Sequence, residues 1–150
     1  TEIPPHFYVN QKESGTVIIS QGVESKKATY ITVGNNSTVE IGSNCTFHGE
    51  VIIYTKTDCH VAIGDNCILI DSRIVCGSNA TVTIGNGTTI NDHSAIFCRT
   101  GYEISIGADC MFSQEVILHA GDAHPIYDTI SQEITNCPDP GSSKRAIRVD

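Results

Sequence analysis

TVEIGSNCTF (Thr38–Phe47), HVAIGDNCIL (His60–Leu69), TVTIGNGTTI (Thr81–Ile90) and EISIGADCMF (Glu103–Phe112) are four copies of one pattern, with a weaker copy, TVIISQGVES (Thr16–Ser25), ahead of them. The fourth residue of each copy is isoleucine: Ile19, Ile41, Ile63, Ile84 and Ile106, separated by 22, 22, 21 and 22 residues. A fixed period of this length is the signature of a repeat architecture, in which each unit buries its apolar face against the next.

Other columns keep the same period. Two residues before the isoleucine stand Val17, Val39, Val61, Val82 and Ile104. Four after it stand Val23, Cys45, Cys67, Thr88 and Cys110, and six after it Ser25, Phe47, Leu69, Ile90 and Phe112. Twelve after it the same count gives Ile31, Ile53, Val75, Ile96 and Leu118. The polar Ser25 lies in the first copy, where a capping turn is expected to be atypical. Offsets in multiples of six, with Gly after most of the isoleucines, describe the sides of a triangular parallel β-helix. Three sides take about 18 residues, and the remaining ~4 fit a short loop at one corner, with Thr55-Lys56-Thr57-Asp58 and Gly77-Ser78-Asn79-Ala80 as candidates. Ser43-Asn44, Asp65-Asn66, Asn86-Gly87 and Ala108-Asp109 have the turn chemistry of corners. Strands ~4.8 Å apart make five turns a prism of roughly 24 Å. No ten-residue amphipathic helix separates the strands, which excludes an α/β sheet, and a sandwich does not need columns in register. The fold expected is all-β: about five 22-residue turns over residues 16–118, with a lead-in over 1–15. The pattern does not determine handedness.

Composition narrows the function. The chain has 150 residues, no Trp and a net charge of −8, which argues against general affinity for nucleic acid or acidic membranes. No stretch approaches the ~20 apolar residues of a membrane-spanning helix. Thr1-Glu2-Ile3-Pro4-Pro5 does not read as a signal peptide, although without an initial Met the true N-terminus is expected to lie upstream. Seven cysteines, an odd number, read as reduced thiols in a cytoplasm, with Cys45, Cys67 and Cys110 as small residues of one buried column. Asn35, Asn36, Asn44, Asn79 and Asn86 lie in N-x-[ST] sequons but suit turns that need φ > 0. Lys144, Arg145 and Arg148 crowd the last seven residues; a solvated tail is favoured over contact with an anionic ligand.

The repeat stops after Leu118. An inserted loop is expected over residues 119–144, and strand character resumes over 145–150, where a further turn begins. Long loops on a solenoid often carry function. IGADCMFSQEVILHAGDAHPIYD (Ile106–Asp128) resembles the active-site turn and loop of hexapeptide-repeat O-acetyltransferases that act on bacterial polysaccharides, including sialic acid capsules. Cys110, Met111, Asp122, His124, Pro125, Ile126 and Tyr127 carry that resemblance. It implies a left-handed β-helix, acetyl-CoA as donor, a glycan hydroxyl as acceptor and a homotrimer with sites between prisms, one face of each prism being less polar than the others. Two departures stand out. The family has Arg where this chain has His119, and it continues into further turns that help form the acetyl-CoA site, so the chain reads as truncated and no residues are assigned to the donor.

Acyl transfer to a hydroxyl needs a base and an oxyanion donor. The resemblance implies His124 as the base, a neutral imidazole being able to take the proton near pH 7. Pro125 restricts its backbone. Asp122 is expected to orient the imidazole or bind sugar, Tyr127 to line the acceptor pocket, and His119 to lie in that pocket or at the surface; a backbone N–H serves as oxyanion donor. His6, His48, His60 and His93 are given no chemistry. Cys59, Cys76, Cys98 and Cys137 are nucleophile candidates in principle, but Cys76 and Cys98 fall next to the buried column twelve after the isoleucine, which favours packing or a strand surface.

Two alternatives stay open. A zinc enzyme of the β-helix carbonic anhydrase type would use His119 and His124 as an H-x4-H pair, but His93, 26 residues before His119, is not a whole turn away. No metal is therefore expected. A non-catalytic scaffold or ice-binding helix needs a regular outward ladder, whereas Ile18, Glu40, Ala62, Thr83 and Ser105 form a mixed column.

Overall fold

A computed structural model describes residues 2–122, 124, 126–135 and 146–150. The strands, in chain order, are β1 (Phe7–Gln11), β2 (Thr16–Ile19), β3 (Glu24–Ser25), β4 (Ala28–Val33), β5 (Thr38–Ile41), β6 (Thr46–His48), β7 (Glu50–Thr55), β8 (His60–Ile63) and β9 (Ile68–Ile70). They continue as β10 (Arg73–Cys76), β11 (Thr81–Ile84), β12 (Thr89–Ile90), β13 (Ala95–Cys98), β14 (Glu103–Ile106), β15 (Met111–Phe112), β16 (Ile117–Ala120) and β17 (Ala146–Val149). Every third strand stacks on the last. The three sheets run β1-β4-β7-β10-β13-β16, β2-β5-β8-β11-β14-β17 and β3-β6-β9-β12-β15. This is a parallel β-solenoid of about five turns, and it matches a left-handed β-helix. Among the described residues no helix is long and apolar enough to cross a membrane.

The columns read from the repeat are the columns of the core. Val39, Val61, Val82 and Ile104 stack in register, as do Ile41, Ile63, Ile84 and Ile106. Phe47, Leu69, Ile90 and Phe112 form a third stack. All of these side chains are buried. Alternation along each strand sends their neighbours to solvent, so each fully buried Ile or Leu contributes about 1.5–3 kcal/mol while its neighbours stay wet.

One column needs correction. The residue stacked between Ile53 and Ile96 is Ile74, not Val75. Ile74 is 1% exposed, whereas Val75 is half-buried on the outer side. The 21-residue turn loses its residue at the corner Asp71-Ser72, before β10 begins. A slip of one residue exchanges the two faces of a strand. The same register sends Cys76 and Cys98 inward, where both are buried.

The segment expected as a lead-in already contains the first rung. β1 pairs with β4, and the Phe7 ring meets Phe47 edge-on at 5.7 Å. Ser25, stacked on Phe47, is small, and its buried hydroxyl accepts a hydrogen bond from Thr29 Oγ1 at 2.9 Å. The atypical first copy is thus part of a core closed by Phe7.

Corners follow from backbone chemistry. Asn44, Asn66, Gly87 and Asp109 take φ of 58°, 57°, 72° and 55° at one corner, a region that Gly, Asn and Asp enter at least cost. Asn36, Asp58 and Asn79 do the same at the corner that carries the extra residues. Of the two loops expected there, Gly77–Ala80 is the turn as read. The other shifts by one residue, since Thr55 ends β7 and is buried. Thiols and hydroxyls then tie successive turns together. Cys45 Sγ donates to Gly64 O at 3.0 Å, Cys67 Sγ to Gly85 O at 3.2 Å and Thr88 Oγ1 to Gly107 O at 2.8 Å. One small donor column therefore accommodates Cys and Thr alike. Cys45, Cys59, Cys67, Cys76, Cys98 and Cys110 are free thiols. Contact with the Cys67 side chain and then burial push the Cys45 thiol up, keeping it protonated as a donor.

Candidate active site

The outward face of the β1–β16 sheet carries a run of large apolar side chains. Tyr8 and Tyr30 stack with ring centroids 5.2 Å apart, and Ile52, Tyr54, Val75, Phe97 and Ile117 continue the face along the axis. The outward positions of the β2–β17 sheet are mixed, with Ile18 and Ala62 beside Thr38, Glu40, His60, Thr81 and Glu103. His60 Nε2 lies 3.4 Å from Glu40 Oε2 there, a surface pairing between turns.

His119 stands on β16 directly above Phe97, which pairs with it in register. The two rings meet edge to face at 5.8 Å. Arg99 follows β13, and its Nε–H donates to His119 Nε2 at 3.0 Å. Backbone bonds hold Arg99 on both sides: its N–H donates to Ala120 O at 3.0 Å and its carbonyl accepts from Tyr102 N at 3.0 Å. Phe97 lines two grooves. One, of about 410 Å³, also includes Arg73, His93, Ala95 and Ile117. The other, of about 250 Å³, includes Lys56, Val75, Arg99 and Thr100.

The chain leaves the helix at Gly121, with φ of 100°. A Cβ there would lie 2.7 Å from Arg99 Cβ and 3.0 Å from Tyr102 Cε2. Glycine is needed for backbone conformation and for space alike. Asp122 and His124 follow at once, and both are exposed. Ala123 and Pro125 lie outside the described residues, and so do Cys137, the Pro138-Asp139-Pro140-Gly141 stretch, Lys144 and Arg145.

A small antiparallel closure comes next. Tyr127 bridges Ile134, Asp128 N donates to Glu133 O at 2.9 Å and Thr135 N donates to Ile126 O at 2.8 Å. Asp128 Oδ1 accepts from Ser131 N at 2.7 Å and Ile130 N at 2.9 Å. These amides hold its carboxyl below the usual carboxylate range. The Tyr127 side chain is 54% exposed.

Of the four residues expected at the site, His119, Asp122 and His124 fall within six positions around the Gly121 exit, and Tyr127 lies on the closure beyond. Phe97 and Arg99 complete the surroundings of His119 and were not read from the sequence. The signal for Phe97 was the 22-residue period, which places it one rung below His119. Arg99 follows two residues later. Arg148, expected to be solvated or to face an anion, is exposed and pairs with Asp150 Oδ1 at 2.8 Å. Among the described residues no group of three His, Cys, Asp or Glu side chains is placed to hold a metal ion, so the zinc alternative has no ligand set there.

No family model and no curated protein matches the chain. A solved structure does. It is titled "Crystal Structure of the polySia specific acetyltransferase NeuO", and it superposes with a TM-score of 0.76 at 27% identity. The match covers 89% of this chain, and the chain spans 61% of that protein's length. In fold and repeat the chain is thus similar to a left-handed β-helix acetyltransferase.

Proposed function

We propose that the protein is an O-acetyltransferase that moves the acetyl group of acetyl-CoA to a hydroxyl of a bacterial glycan in the cytoplasm. The observation that carries the proposal is that the chain leaves the helix at Gly121, two residues after His119 on β16, with Asp122 and His124 next along the exposed exit. The likeness to a polySia-specific acetyltransferase supports the reaction class.

In this reading His124 takes the proton of the acceptor hydroxyl as its oxygen attacks the thioester carbonyl. The tetrahedral oxyanion collapses, the carbon–sulfur bond breaks, and the coenzyme A sulfur leaves with the proton His124 had taken. Asp122 orients the imidazole or holds sugar, while His119 and Tyr127 contact the acceptor. The apolar outer face, with Ile117 63% and Tyr8 54% exposed, supports a homotrimer that covers it and sets each site at a boundary between prisms.

The test is acetyl-CoA turnover with glycan acceptors on the full-length protein and on His124→Ala. The variant is expected to retain its fold and lose at least about a hundredfold in kcat, within the range of general base catalysis. Full activity in the variant would remove His124 from the role, and no transfer by the parent protein to any acceptor would remove the function. In sedimentation velocity the same preparation is expected to run as three copies; a monomer would remove the trimer.

A further inference from the structure

We infer that Arg99 is a positioning residue that fixes the tautomer of His119, so that His119 presents Nδ1–H, a donor, to the acceptor. The inference rests on the reading above only in placing His119 at the acceptor.

A neutral imidazole has one N–H and one lone pair, and the partner of one nitrogen decides the state of the other. Arginine offers only donors. Its Nε–H at 3.0 Å from His119 Nε2 therefore needs a lone pair on Nε2, and the ring proton stands on Nδ1. The geometry is held from three sides. Phe97 contacts the imidazole edge-on at 5.8 Å from the rung below. The Arg99 backbone is bonded at both its N–H and its carbonyl. Gly121 packs against the Arg99 stem, where even one added carbon would fall 2.7 Å from Arg99 Cβ. Arg99 and His119 are both exposed, so without this bond the ring would be free to turn and exchange tautomers through water. A sugar facing the bonded form meets a donor suited to a hydroxyl, ether or carboxylate oxygen. A sugar facing the other form meets an acceptor.

The experiment is long-range ¹H–¹⁵N NMR of the full chain, about two pH units above the usual imidazole range, with His119 identified by difference from His119→Gln. Arg99→Met keeps the Cβ and Cγ that Gly121 packs on and removes the donor. The parent protein is expected to show His119 protonated on Nδ1, and the variant to pass mainly to the Nε2–H form. An unchanged tautomer in the variant, or an Nε2–H form in the parent, overturns the inference. Kinetics then separate it from the proposed function. The acceptor KM is expected to rise about threefold to tenfold in Arg99→Met with kcat within about twofold. If the tautomer switches while KM stays put, Arg99 positions His119 as inferred, and it is the assignment of His119 to the acceptor that fails.

Discussion

Ser94 donates its hydroxyl to the carbonyl of Ser113, one turn further along the helix, at 3.1 Å. The Ser94 hydroxyl oxygen in turn accepts from Val116 N at 3.2 Å. One rung below, Ser72 occupies the corresponding place just before β10, and its buried hydroxyl has no partner among the described residues. This is the corner where the turn is one residue short. A buried hydroxyl without a partner costs stability, whereas one that makes two bonds contributes it. Ser94→Ala is therefore expected to lose about 1–3 kcal/mol, and Ser72→Ala to be neutral or to gain up to about 1 kcal/mol. Urea unfolding midpoints at constant slope measure both. Equal losses in the two variants would contradict the difference in bonding.

Gly121 is the position where stability and the proposed activity are expected to separate. Its φ of 100° and the tight approach of Arg99 leave no room for a side chain. Asp122 and His124 beyond it are exposed, so strain there is expected to be relieved without opening the core. Gly121→Ala is expected to lower Tm by less than about 5 °C, while kcat/KM falls at least about tenfold through displacement of His124. Thermal melts and steady-state kinetics on one preparation decide it. A large fall in Tm with activity intact would reverse the assignment of Gly121 to the site.

Asp128 makes the closure around Tyr127 and Ile134 sensitive to acid. Its folded carboxyl titrates below the usual range because the amides of Ser131 and Ile130 bond the charged form. A lowered folded pKa means that its contribution is present above the unfolded value and is lost as pH falls through the folded one. The amide resonances of Ile130 and Ser131 are expected to move together, with one midpoint below the ordinary aspartate value. Asp128→Asn should abolish that transition. A midpoint at or above the ordinary value would show that the bonds do not form in solution.

Much of this protein was legible from its residues because a solenoid is nearly one-dimensional. Each rung contacts the next, so a column such as Val39, Val61, Val82 and Ile104 is both a sequence period and a spatial contact. The corners were legible for a related reason: Asn, Asp and Gly enter φ > 0 at low cost, and they recur where the chain must turn. The exit segment was legible through its departure from the period.

Other features depended on register and side-chain direction, which a period does not specify. The count placed Val75 in the core, but the missing residue lies at Asp71-Ser72, so Ile74 points inward, because a shift of one residue inverts a strand. Phe7 joined the core only because β1 pairs with β4 and brings its ring to Phe47. Arg99 and His119 are 20 residues apart, not a whole period, yet their side chains meet between successive rungs. The sequence by itself determined the stacked parallel strands, the buried columns and the segment that carries His124. The tertiary structure alone decided which face each strand turned inward at the short corner and which side chains surround His119, because both depend on how successive turns are offset in space.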